Sequence, residues 1–189
     1  WVTGVQTCAL PISFGDHTYL PSSPAGPLDW VVDAHPLRLI GLDSTIPGGH
    51  GGQLLGSQLQ WLDDQLALRP QAPTVLILHH PPFISGIGHM DRERFINAAA
   101  LETVVARHPQ VERLLCGHLH RSMQRRFGGS LSCVCPGTSH QIVLDLQDAA
   151  PAHFNLEPAG YLLHRWDAQQ GLVSHNGVFG DYPGPYPFY

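Results

Sequence analysis

Apolar runs predict that strands and helices alternate along the first two thirds of the chain. Four short apolar segments have the length and composition of buried strands, at positions 28–34, 37–43, 74–78 and 111–116. Later segments predict further strands joined by turns, at 131–135, 141–145, 153–156 and 161–165. This order is typical of an α/β domain with two packed sheets.

Two segments between these strands predict helices. Leucines recur at helical spacing in the first: Leu59, Leu62 and Leu66. Ser57 and Gln60 form a predicted capping box at its start. A second helix is predicted from Asp91 to about Arg107. Because this helix joins strands 74–78 and 111–116, the two strands are expected to be parallel neighbours.

Composition indicates a globular protein and excludes several classes. The chain has 189 residues, which suggests one domain, with 43% hydrophobic and 13% charged residues. A net charge of −5 lacks the basic footprint of a nucleic-acid-binding protein, and no apolar run approaches the roughly 20 residues of a membrane span. The four cysteines form no C-x-x-C pair, and Cys133 and Cys135 favour buried thiols, which suits a reducing, cytoplasmic compartment.

Two histidine motifs directly follow two predicted strands. His79 and His80 follow 74–78, while His118 and His120 follow 111–116. Ligands gather at the carboxyl ends of strands in α/β sheets. Imidazoles suit zinc, iron or manganese, and such metals can polarise a phosphoryl oxygen and activate water. Either motif alone is more often surface decoration, but together they predict a metal site.

The motifs LHHPP at 78–82 and CGHLH at 116–120 resemble the last two metal-binding motifs of the calcineurin-like metallophosphoesterases. The stretches LIGLDSTIPGGHGG, LGSQLQWLDDQLA and GIGHMD are similar to the class III cyclic nucleotide phosphodiesterase branch, as is RRFGG. The resemblance covers 14–189. It implies a two-sheet αββα sandwich with two metal ions (Fe, Mn or Zn) and a bridging hydroxide. The implied substrate is a small phosphodiester, such as a 3',5'-cyclic nucleotide or a glycerophosphodiester.

The resemblance also implies roles for individual histidines. His79 and His118 would bind one metal and His120 the other. His80 would be a catalytic group beside the metals or on the substrate side, with a packed, backbone-bonded imidazole as the alternative. His140 is a candidate catalytic or substrate-binding group facing the phosphate pocket, and His89 a candidate at the substrate mouth. For both, an ordinary loop histidine is the alternative.

Other polar residues are expected to have structural roles. Asp43 is expected to cap a turn rather than bind metal, and His50 to be solvated in a Gly-rich loop. Three arginines after the second His motif are expected on a solvated strand face: Arg121, Arg125 and Arg126.

The start of the chain does not resemble a natural protein. Residues 2–12, VTGVQTCALPI, resemble a translated sequencing adapter, so 1–13 are interpreted as an artefact. The family's Asp-x-His, bridging Gly-Asp and Gly-Asn-His motifs are not found, and Asp16 and His17 receive no metal role. We therefore expect 14–189 to be the C-terminal part of one domain, lacking its N-terminal strands and inactive alone. A non-catalytic sandwich-fold binding or regulatory protein is the alternative, and a dimer is left open.

Overall fold

Six strands form the main sheet of the computed structural model, which describes residues 26–189. They are β1 (Trp30–Val32), β2 (Arg38–Leu42), β3 (Thr74–Leu78), β4 (Val111–Cys116), β5 (Met123–Phe127) and β6 (Ser130–Val134). Their order is β1-β2-β3-β4-β6-β5, and the four inner strands are parallel. The carboxyl ends of four strands therefore meet at one edge. The adapter-like stretch, Asp16 and His17 lie outside the described residues.

Three helices connect these strands: α1 (Gly56–Leu68), α2 (Gly88–Asp91) and α3 (Ala98–Ala106). The predicted parallel pairing of β3 with β4 is confirmed. Apolar side chains of β2, β3 and β4 pack with α1 and α3 in one core, including Ile40, Leu62, Leu76, Leu101 and Leu114. This packing fixes the strand ends that carry the histidines.

A hairpin packs against the main sheet. It consists of β9 (Gly160–Asp167) and β10 (Gly171–Val178), while β7 (Gln141–Ile142) pairs with β8 (Phe154–Asn155). Arg113 on β4 donates from Nη1 to Ser174 Oγ (2.8 Å) and from Nη2 to Leu172 O (2.9 Å). The guanidinium thus ties the hairpin to the sheet, and the predicted α/β architecture with more than one sheet is confirmed.

The single helix predicted over 91–107 is wrong. Residues 92–97 separate α2 from α3, and Phe95 is buried there in the core. Asn97 Nδ2 donates to Leu54 O (2.6 Å), and its Oδ1 accepts from Leu54 N–H (3.2 Å). Asp91 accepts hydrogen bonds from Ser85 instead of capping a long helix. Tertiary contacts therefore override the helical propensity of the segment.

The predicted capping box of Ser57 and Gln60 is wrong, because the N-cap is Leu55, whose side chain cannot accept a hydrogen bond. Helix α1 begins at Gly56, and Gln58 Oε1 accepts from the Leu55 N–H (2.8 Å), while Gln60 donates to Asp64 on the exposed side. Strand β5 carries Arg125 and Arg126 exposed to solvent, as expected, whereas β10 was not predicted, because its sequence GLVSHNGV lacks an apolar run. Both are defined by their pairing with β6 and β9.

The cysteines of residues 26–189 are free thiols, and Cys133 is buried as expected, whereas Cys135 is only partly buried. Cys116 and Cys133 are buried, and burial raises the pKa of the Cys116 thiol to about 12. A search of the same residues finds no helix with the length and apolarity that crossing a bilayer requires.

Candidate metal centre

Four strand tips bring polar residues to one edge of the main sheet. Ser44 follows β2, His79 and His80 follow β3, His118 follows β4, and His140 lies in the segment after β6. This is the position at which α/β sheets bind their ligands. The parallel register therefore gathers side chains that are up to about a hundred residues apart in the chain.

Three imidazoles lie close enough to share one cation. His79, His80 and His118 each offer a ring nitrogen, and these three nitrogens lie within 4.8 Å of one another. Ring centroids are 5.2 Å apart for His79 and His118 and 4.7 Å apart for His80 and His118. The expected convergence of His79 with His118 is therefore present, but the cluster found among the described residues contains His80 and not His120.

The free ring nitrogens separate candidate ligands from their neighbours. Within residues 26–189, four histidine nitrogens are buried and have no hydrogen-bond partner: His79 Nε2, His118 Nε2 and His120 Nδ1 on the two motifs, and His89 Nδ1 on α2. A buried polar atom without a partner costs about 1–3 kcal/mol, so the three on these two motifs call for an explanation. A bound metal would satisfy them, and neutral imidazole is a ligand that zinc, iron and manganese accept. The donor set therefore fits a metal.

His80 belongs to the cluster by distance but offers no free nitrogen. Its Nδ1 is 2.9 Å from Ser44 Oγ, and its Nε2 is 3.2 Å from the His50 carbonyl oxygen. Because a carbonyl only accepts, Nε2 carries the proton, and Nδ1 accepts from the serine hydroxyl. His80 therefore lies beside the open nitrogens with both of its own engaged.

The loop after β4 has an uncommon backbone. His118 and His120 have φ values of 66° and 47°, in the left-handed region that side chains other than glycine rarely adopt. Such residues cost about 1–3 kcal/mol each and concentrate at functional sites. Leu119, which is buried between them, anchors the loop, and the Gly117 N–H donates to His79 O (2.9 Å). The strained backbone thus holds both imidazoles at this edge.

Burial keeps these imidazoles neutral. It lowers the pKa of His118 to about 3 and that of His80 to about 4, with neighbouring histidines adding to the effect. The pKa of His79 is also lowered, by burial first and then by His120. Burial and the nearby His140 lower the pKa of His120. At neutral pH the lone pairs are therefore not blocked by protons.

His140 and His89, which were predicted on the substrate side, differ in position. The His140 ring lies 4.5 Å from that of His120 and 5.0 Å from that of Phe154, and its Nδ1 is 2.9 Å from Ser139 Oγ. His89 lies on α2 with a buried, unpartnered Nδ1. Its helix neighbours Met90 and Asp91 line a small cavity with His80 and His118. The roles of both histidines stay predictions.

The remaining polar residues have structural contacts. Asp43 Oδ1 accepts from the Thr45 N–H (3.1 Å) and Oγ1–H (2.6 Å), so it caps a turn as expected. The His50 side chain is exposed. Arg121 is not on a solvated strand face, since Nη2 is 3.0 Å from Glu157 Oε2 and Nη1 donates to the Ile142 carbonyl. This arginine instead joins the loop after β4 to β7.

Ser44 was missed in the sequence. Its hydroxyl is buried and contacts His80, which lies 36 positions further along the chain. The only local signal is its position directly after a predicted strand, and serine there is also common in turns.

Gly137→Ala is expected to weaken metal binding. A Cβ at this position would lie 2.1 Å from the His140 carbonyl oxygen and 3.1 Å from His120 Cβ, so the loop that carries His140 must move. We expect the Kd for Zn²⁺, measured by titration calorimetry, to rise by about tenfold or more, as when an outer-shell support is lost. Gly56→Ala is the control, since a Cβ there meets nothing within 4 Å. Equal affinities for both variants would contradict the expected movement.

The known proteins whose sequences resemble this chain, as described next, are named as phosphodiesterases. The chain is 39% identical over 163 residues to the probable glycerophosphodiester phosphodiesterase GpdQ of Arcobacter nitrofigilis, covering 86% of this chain and 60% of that protein. It is 38% identical over 104 residues to the 3',5'-cyclic adenosine monophosphate phosphodiesterase CpdA of Escherichia coli K12, covering 55% of this chain and 38% of that protein. No protein-family model matches the chain.

A third relative is named for two substrates. The cAMP/cGMP dual specificity phosphodiesterase MT0825 of Mycobacterium tuberculosis is 39% identical over 114 residues, covering 60% of this chain and 36% of that protein. The chain thus spans 36% to 60% of the length of these three relatives.

Proposed function

We propose that this chain contributes part of a dinuclear metal centre that hydrolyses phosphodiesters. Its phosphodiesterase relatives confirm the resemblance to the calcineurin-like metallophosphoesterases. One observation carries the proposal: three buried ring nitrogens without partners lie at one sheet edge, on the two motifs that define the resemblance. His79 and His118 would hold one metal and His120 the other. Iron, manganese and zinc all suit these ligands.

The chain's own residues would do the following. His79, His118 and His120 present neutral imidazoles, and the strained loop after β4 orients the latter two. His140, with its ring 4.5 Å from that of His120, is suited to contact the phosphate group of a substrate as a catalytic or binding residue. The bound metals would supply Lewis acidity and lower the pKa of water at the site.

A 3',5'-cyclic nucleotide is the proposed substrate, and a glycerophosphodiester is the second candidate. Two of the relatives described above are named for cyclic nucleotides, but the one matched over the greatest length is named for glycerophosphodiesters. Both are small phosphodiesters, so they share the group that His140 would contact. Small substrates and the free thiols of residues 26–189 support a cytoplasmic location.

Little turnover is expected from this chain alone. Among residues 26–189, the cluster of possible metal ligands contains histidines and no carboxylate. Imidazoles alone hold two cations at short separation poorly, because no negative charge lies between them. We expect hydrolysis to rise by orders of magnitude in an extended chain that also carries the part of the Arcobacter nitrofigilis relative that this chain does not span.

Metal binding and hydrolysis together test the proposal. Zn²⁺ and Mn²⁺ are titrated into this chain by calorimetry, and the hydrolysis of bis-p-nitrophenyl phosphate, cyclic AMP and glycerophosphocholine is measured for this chain and for the extended one. Metal binding by both and turnover by the extended chain are expected. Metal-loaded extended protein without turnover of any phosphodiester would contradict the proposed activity, and no metal binding would contradict the centre itself.

A further inference from the structure

His80 is held from both sides by groups that come from other parts of the chain. Ser44, at the tip of β2, approaches Nδ1 at 2.9 Å, and the His50 carbonyl, in the Gly-rich loop, approaches Nε2 at 3.2 Å. The Ser44 Oγ also accepts from the backbone N–H of His80 at 3.2 Å. Ser44 and His80 are 1% and 4% exposed, so solvent cannot replace these partners.

The direction of each hydrogen bond follows from the chemistry of the groups. The His50 carbonyl can only accept, so His80 must donate from Nε2. The Ser44 hydroxyl has one proton, and since its oxygen accepts from the His80 backbone, that proton is free to point at Nδ1. The network is complete only with the proton of the neutral imidazole on Nε2.

Space around the ring also restricts it. A Cβ on Gly52 would lie 2.5 Å from His80 Cβ and 2.8 Å from its Cγ, so the backbone of the Gly-rich loop is packed directly against the side chain. The rings of His79 and His118 lie on other sides, with centroids 4.7 Å away in each case. The ring therefore has little room to turn a nitrogen toward the free nitrogens of His79 and His118.

We propose that Ser44 is a positioning residue whose hydroxyl occupies Nδ1 of His80, while the His50 carbonyl holds the proton on Nε2, and so keeps His80 from binding metal. The inference rests on the proposed metal centre, and it assigns a role to a residue that does not touch the metal. His80 in turn holds the His50 carbonyl, and with it the Gly-rich loop, beside the candidate ligands. Without the hydroxyl, the Nδ1 lone pair of His80 loses its partner in a cluster whose three histidines each bring one ring nitrogen within 4.8 Å of the others.

The ring nitrogens of His80 can be observed directly. In the ¹⁵N-labelled chain, long-range ¹H–¹⁵N spectra without metal should show His80 protonated on Nε2 and not on Nδ1, with His80→Gln used to assign the signals. A proton on Nδ1 in the unaltered chain would overturn the proposal, and this result needs no variant to fold. The measurement is also independent of any metal.

Ser44→Ala tests the consequence for metal binding. Upon addition of Zn²⁺, the signals of His79, His118 and His120 should shift in the unaltered chain while those of His80 stay in place. In Ser44→Ala, the proton should stay on Nε2, because the His50 carbonyl still accepts from it, and the His80 signals should shift with the others upon addition of Zn²⁺. Unchanged His80 signals in this variant would overturn the positioning role.

Ser132→Ala provides the matched control. Ser132 is 0% exposed on β6, and its hydroxyl contacts the Cys116 thiol rather than a histidine. Loss of this buried hydroxyl should leave the His80 signals unaltered, and an equal change in both variants would show a general packing effect and overturn the proposal. If no histidine signal shifted upon addition of Zn²⁺, the metal centre would be contradicted. The position of the His80 proton would still test the role of Ser44.

Discussion

His118→Ala is expected to remove most of the metal affinity of the chain while leaving its fold intact. Loss of an outer-shell partner typically lowers metal affinity about 10–100-fold, and loss of a ligand should exceed this. Stability should change little, because the substitution also removes a buried nitrogen that has no partner among the described residues. The Kd for Zn²⁺ from calorimetry and the urea midpoint measure the two effects.

The control for this substitution is His175→Ala. His175 is exposed on β10 and is not among the clustered histidines, so its loss should change neither quantity. In the chain extended with the part of the Arcobacter nitrofigilis relative that it does not span, His118→Ala should also lower the turnover of phosphodiesters by orders of magnitude. Zn²⁺ affinity equal to that of the unaltered chain would show that His118 is not a ligand.

Leu114→Ala is expected to cause the largest loss of stability. Leu114 is 0% exposed in the middle of β4, where it is paired with Leu76 on one side and Ser132 on the other. Truncation of a buried leucine costs about 2–5 kcal/mol, and whole domains are stable by only about 5–15 kcal/mol. Urea unfolding should show a lower midpoint with an unchanged slope.

Leu68→Ala is the matched substitution on the surface. Leu68 ends α1 and is 70% exposed, so the same change there should alter the free energy of unfolding by no more than about 0.5 kcal/mol. Equal losses of stability in the two leucine variants would contradict the position of Leu114 in the core. His118 follows β4, so its position depends on this strand being folded. Leu114→Ala should therefore leave Zn²⁺ binding unchanged in the folded chain and weaken it once denaturant begins to unfold the chain.

The histidine motifs and the strands that carry them could be predicted from the sequence. Runs such as TVLIL and VERLLC have a single plausible structure in a domain of this composition, and they match β3 and β4 residue for residue. The helix between them made the two strands parallel, so the convergence of His79 with His118 followed from chain order alone. Both are local properties that hydrophobic spacing encodes.

Only the tertiary structure decided which ring nitrogens are free. His79 and His80 are adjacent and identical in type. Both ring nitrogens of His80 have partners, because Ser44, 36 positions away, contacts Nδ1 and the His50 carbonyl contacts Nε2, whereas Nε2 of His79 has none among the described residues. The break between α2 and α3 likewise depends on Asn97 bonding to Leu54, 43 positions away. Hydrogen-bond partners at such separation are set by the register of parallel strands and by packing, and neither leaves a local pattern in the sequence.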